Sequence, residues 1–107
     1  MAKRSLIEAA EDPMIAITGP LWIWTGENGS WHFLTVPDES GRIRAHALGS
    51  LRGFGSVRVE ARIDDVIWRT SVFPMKSGGY FLPVKADVRR KAAIAVDDEI
   101  TVEIELL

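Results

Sequence analysis

Trp68-Arg69-Thr70-Ser71-Val72-Phe73-Pro74, followed after a glycine-bearing turn by Gly79-Tyr80-Phe81-Leu82-Pro83-Val84-Lys85, decides how this chain of 107 residues is read. Residues 66–73 and 80–84 carry the β-branched and aromatic side chains that suit strands, and Pro74 with two glycines supplies the turn of a hairpin between them. The first of these strands departs from an ordinary core strand. Alternation puts Ile67, Arg69, Ser71 and Phe73 on one face and Val66, Trp68, Thr70 and Val72 on the other, so each face mixes polar with apolar groups. Aromatics, an arginine, two hydroxyls and a lysine gathered in one hairpin mark a polar site or a specified fold.

Outward from the hairpin, period-two alternation recurs. Ile15, Ile17, Leu21 and Ile23 point one way in a first strand interrupted by Gly19-Pro20. The turn Glu27-Asn28-Gly29-Ser30 leads into a strand over residues 31–36, closed by Pro37. Pro37, Asp38 and Glu39 then suit the first turn of a short helix running to about His46. A glycine-rich loop over residues 48–56 precedes a half-buried strand at 57–63, and Asp64-Asp65 turns into the hairpin. A second short helix spans about 86–93, and Asp97-Asp98 turns into a last strand in which Ile100, Val102, Ile104 and Leu106 alternate with polar residues. The sum is six strands and two short helices.

Strand, helix and strand from Phe33 to Ile63 mirror strand, helix and strand from Phe81 to Leu106. Strand-turn-strand patterns resemble one another, so this is either a duplicated half or coincidence. Two such halves cannot bury their apolar faces alone and would close on each other, which predicts a mainly β, closed six-stranded barrel. Residues 1–13 are mixed and charged and end at Pro13; they read as a flexible tail, and residues 14–107 as a single β-barrel domain.

Composition narrows the function classes. The chain is 47% apolar and 26% charged, an ordinary globular balance, and at this length about 65% of the unfolded surface can be buried. It contains no cysteine, which removes disulfide frameworks, thiol chemistry and zinc ribbons. The formal net charge of −2 gives no general reason for tight nucleic-acid binding. No run of residues approaches transmembrane length, and cytoplasm is the expected location.

Several motifs in order resemble one family. Trp31-His32-Phe33 running into Pro37, Gly53-Phe54-Gly55-Ser56-Val57, Trp68-Arg69-Thr70-Ser71 with Phe73-Pro74, and Gly79-Tyr80 with Leu82-Pro83-Val84-Lys85 and Val88-Arg89 are similar to the domain-of-unknown-function family DUF1905. The resemblance covers nearly everything after residue 13 and implies a small double-split β-barrel capped by two short helices. It implies no activity. Asp64-Asp65 and Asp97-Asp98 depart from the family pattern, in which glycine commonly helps the turn. A fainter likeness joins residues 81–90 and 99–102 to the half-barrel of AbrB/MazE-type regulators and antitoxins, which pair two chains where this chain holds both halves.

The candidate site gathers Trp68, Arg69, Ser71, Lys85 and Arg89. An inward Arg69 needs a partner, with Glu60, Asp87 or an anionic ligand in reach; otherwise its methylenes cover apolar surface while the guanidinium meets water. Lys85 and Arg89, four apart, share a helix face and either grip an anion or complement the helix dipole. Gly53-Phe54-Gly55-Ser56 lacks the spacing and lysine of a phosphate loop and reads as a turn or bulge. Trp22, Trp24, Trp31 and Trp68 could stack on a base or sugar, though at least two are expected in the core. His32 and His46 share no metal-ligand spacing, His32 reads as structural or surface, and the aspartate pairs read as turns, so no catalytic residue, metal or cofactor is expected. The expected function is a non-enzymatic module binding a small anionic or polar ligand or a protein partner. The alternative is a DNA-associated regulator, with an enzyme third.

Overall fold

The computed structural model describes residues 14–49 and 55–107; the segment read as a tail and Gly53-Phe54 lie outside the described residues. Its elements are β1 (Met14–Pro20), β2 (Trp22–Gly26), β3 (Gly29–Val36), α1 (Arg42–Leu48), β4 (Val57–Ile63), β5 (Val66–Pro74), β6 (Tyr80–Pro83), α2 (Ala86–Ala92) and β7 (Glu99–Leu106). The protein is mainly β. All pairings are antiparallel, in the order β1-β7-β4-β5-β6-β3-β2.

Two expectations are corrected. The first strand is two strands, because Pro20 carries no N–H and the ladder breaks at Leu21; the sheet therefore has seven strands, not six. It also does not close: β1 and β2 are the ends of the hydrogen-bonded order, joined only through the chain at Leu21. The result is a curled half-barrel in which β1 packs against β3.

Alternation decides the core. Val57, Val59, Ala61 and Ile63 of β4 and Ile100, Val102 and Ile104 of β7 are buried, as are Leu34, Val36 and Leu82 of β3 and β6. Ile23, expected to share the inward face with Ile17 and Leu21, is 42% exposed because β2 is an edge strand. On the partly exposed face of β7, β4 and β5, cross-strand neighbours pair by charge: Arg62 Nη2 meets Glu103 Oε1 at 2.7 Å and Arg69 Nε meets Glu60 Oε1 at 3.3 Å. The two mirrored segments also pair with each other, β3 with β6 and β4 with β7.

The first helix starts at Arg42, later than the proline and acids at 37–39 suggested. Residues 38–41 instead form a turn, with Gly41 N donating to Asp38 O at 3.0 Å and Gly41 in the left-handed region at φ 73°. The Asp38 carboxylate then accepts from the backbone N–H groups of Ile43 at 3.0 Å and Arg44 at 2.9 Å, satisfying donors that a helix start leaves open. Asp38→Ala is expected to lower stability by about 0.5–2 kcal/mol in urea unfolding.

The turns use positive φ where the chain reverses. Gly79, at φ 75°, could not carry a Cβ without crowding Val36 O at 3.2 Å, so the β5–β6 turn requires glycine there. Asp64 and Asp97, the positions that depart from the family's glycine pattern, adopt φ 53° and 75°, which aspartate tolerates better than most residues. Ala93, ending α2 at φ 56°, has no polar side chain to ease the same conformation. Ala93→Gly is expected to raise stability by about 0.5–1 kcal/mol, seen as a higher thermal midpoint.

Candidate functional site

The site arises from an unequal division of β5. Its residues 66–72 pair with β4, and only Phe73 and Pro74 pair with β6, opposite Phe81 and Tyr80. Continued, that register would set Ser71 opposite Pro83, but the pairing stops. Val84 N donates to His32 O at 2.9 Å, toward β3, so alternation turns the N–H that residue 83 would have carried toward β5, and proline has none. The strands diverge there and leave a cleft of about 300 Å³ between the middle of β5, the start of β3 and the β6–α2 junction.

Three cationic side chains line it. Lys85 is exposed; Arg89, on the same side of α2, is half-buried and donates through Nη1 to Val84 O at 2.7 Å. That bond fixes the arginine stem and leaves its other N–H groups available. Arg69 stands at the rim with a side chain 65% exposed, bonded to Glu60. An exposed pair of this kind contributes about 0–1 kcal/mol. Of the partners open to Arg69 in the sequence, Glu60 is the one it meets, and its guanidinium remains wet.

Deeper in, Trp68 is 6% exposed and its Nε1 has no hydrogen-bond partner, and the same holds for the buried Nδ1 of His32. Both residues line the cleft. An indole N–H can only donate, so it calls for an acceptor. Burial, and secondarily the positive charge of Arg89, hold the His32 imidazole below its ordinary value. Among the described residues no carboxylate lines the cleft.

Four of the five candidate residues, Trp68, Arg69, Lys85 and Arg89, therefore meet at one cleft, which takes in β5 from Trp68 to Thr70; Ser71 does not line it. Thr70 lines it without having been a candidate, and so does His32, which the sequence reading took as a structural or surface histidine. The parity signal was there for His32: two residues before the buried Leu34, it shares the inward face of β3. His46 is used elsewhere, its Nε2 lying 2.7 Å from the main-chain oxygen of Leu107.

Among the described residues, no three His, Asp or Glu side chains gather as a metal set, and no helix is long and apolar enough to cross a membrane. The tryptophans are placed differently from expectation: only Trp68 joins the buried core, Trp22 is half-buried, and Trp24 and Trp31 are 53% and 45% exposed. Trp24 and Trp31 are paired opposite each other, on one face of β2 and β3.

The depressed His32 pKa has a definite sign. The unfolded chain takes up a proton near pH 6.5 while the folded protein resists it, so stability is complete above that value and falls as the pH drops below it. His32→Gln should lose less stability than the parent protein between pH 7.5 and 5.5 in urea unfolding; equal losses would place the dependence elsewhere.

No curated protein matches the chain. Residues 18–104, spanning every strand in whole or in part, match the family described as Domain of unknown function (DUF1905), and the chain belongs to that family.

Proposed function

We propose that the chain is a non-enzymatic binding module that takes a small anion into the cleft between β5 and the β6–α2 junction. One observation carries this reading: Arg69, Lys85 and Arg89 converge on a cleft that has no carboxylate among its described lining residues. The oxygens of a phosphate or carboxylate would neutralise these cations and accept charge-assisted hydrogen bonds from them. The whole chain is slightly acidic at −2, so the positive charge is a local feature. Binding suits the site better than acid–base chemistry because no carboxylate among the described residues lines the cleft beside His32 to fix a tautomer or take a share of its charge.

Titration calorimetry at low salt with sulfate and pyrophosphate tests the reading. Both should bind, with Lys85→Ala and Arg89→Ala each weakening affinity about 10- to 100-fold, the usual worth of a charged hydrogen bond. Arg69→Ala should cost less, because that side chain is mostly solvated and already paired. Sulfate keeps its charge from pH 8 to 5.5, so tighter sulfate binding on acidification, lost in His32→Gln, would report a proton taken up by the imidazole. Absence of binding at low salt, or affinities indifferent to Lys85 and Arg89, removes the proposal. The duplex-DNA alternative keeps its own test, a gel shift that weakens steeply with salt.

A further inference from the structure

Beside the cleft lies a second hollow of about 400 Å³ whose described lining is Trp22, Trp24, Trp31, Phe33 and Phe81. Trp31 lines both. The rings form a ladder across the outer face of β2, β3, β6 and β5: Trp24 to Trp31 at 5.4 Å, Trp22 to Phe33 at 4.8 Å, Phe33 to Phe81 at 4.8 Å and Phe81 to Phe73 at 5.5 Å.

These rings are held in place before any ligand arrives. Trp22 donates from Nε1 to Thr35 Oγ1 at 3.0 Å. The Trp24 ring lies over Gly26, where an added Cβ would come within 2.5 Å of it. Preorganised aromatic faces lower the ordering cost of binding.

Resting on the anion reading of the cleft, we infer that its ligand is a nucleotide: a planar base stacked on Trp31 and its neighbours, with the phosphate reaching Lys85 and Arg89. The hollow supplies ring faces and the adjoining cleft supplies positive charge, so the complementary molecule carries one flat apolar end and one anionic end. A sugar is a poorer match because the described residues that line the hollow are all aromatic, and the Trp22 N–H already has its acceptor. A polynucleotide strand is also poorer. Residues 22–36, which form β2 and β3, contain no lysine or arginine, so positive charge meets the platform at one end and does not run along it.

The experiment is calorimetry on the full chain with AMP, adenosine and inorganic phosphate, each also measured with Trp31→Ala, Lys85→Ala and Gly26→Ala. AMP should bind at least about tenfold more tightly than phosphate. Trp31→Ala should cost AMP about 5- to 100-fold and leave phosphate unchanged. Gly26→Ala, which displaces the far end of the Trp24 ring, should weaken AMP without altering phosphate. Circular dichroism checks folding, and Trp31 is exposed enough for its loss to be tolerated.

The outcomes separate the two claims. Equal affinity for AMP and phosphate, unmoved by Trp31→Ala, overturns the nucleotide and leaves the anion site standing. Adenosine binding as tightly as AMP, unmoved by Lys85→Ala, overturns both, as does binding of none of the three. A hexathymidylate that outcompetes AMP, or a dimer that Trp31→Ala dissolves, also overturns the inference, because the platform would then serve a strand or a second copy.

Discussion

β5 has to serve two neighbours. Along residues 66–72 it completes the sheet with β4, and at Phe73-Pro74 it passes to β6. A strand has two edges, but twist carries its neighbours away from it at different points, and here Pro83 removes the donor that would have prolonged the second pairing. The curl of the sheet, the gap beside Trp68 and the entry of α2 against β5 all follow from that divergence. Chain 14–26 solves the same problem differently, breaking at Leu21 so that β1 goes to β7 and β2 to β3. Leu21 is fully buried at the break, and its backbone N–H and C=O are bonded to Asp98 and Asp97.

The two surfaces around the divergence differ in how their polar groups are satisfied. The core buries aliphatic side chains and no charged residue among those described. The exceptions to full satisfaction are the Trp68 and His32 nitrogens, and both belong to the cleft. Partners inside the fold are plentiful for other polar groups: Asp38 caps α1, Asp98 Oδ2 accepts from Ala95 N at 2.8 Å, and Trp22 finds Thr35. Against that background, two unpartnered nitrogens on residues that line one cationic cleft form a coherent exception.

Much of this was legible in the residue order. The alternation of β4 and β7 named their buried residues, and the glycines and aspartates at positive φ marked the reversals. Trp68, Arg69, Lys85 and Arg89 stood out because aromatics and cations are unusual together in a short hairpin. What misled was local chemistry that tertiary context overrode. Pro37 and the acids after it suit a helix start, yet Asp38 acts from outside the helix through its side chain. Tryptophan is large and apolar enough to expect in a core, yet Trp24 and Trp31 are exposed side by side on β2 and β3.

Sequence by itself determined the strands after the first, the turns between them, the inward faces of β4 and β7 and the family, because hydrophobic period and turn chemistry act over a few residues and need no knowledge of neighbours. Only the tertiary structure decided that the sheet stops short of closure and that Ser71 falls outside the cleft while His32 falls within it. It also decided that Arg69 answers Glu60, and that the tryptophans of β2 and β3 form an exposed platform. Those outcomes depend on which strands become neighbours and where they part, and pairing between residues distant in the chain is a property of the assembled sheet.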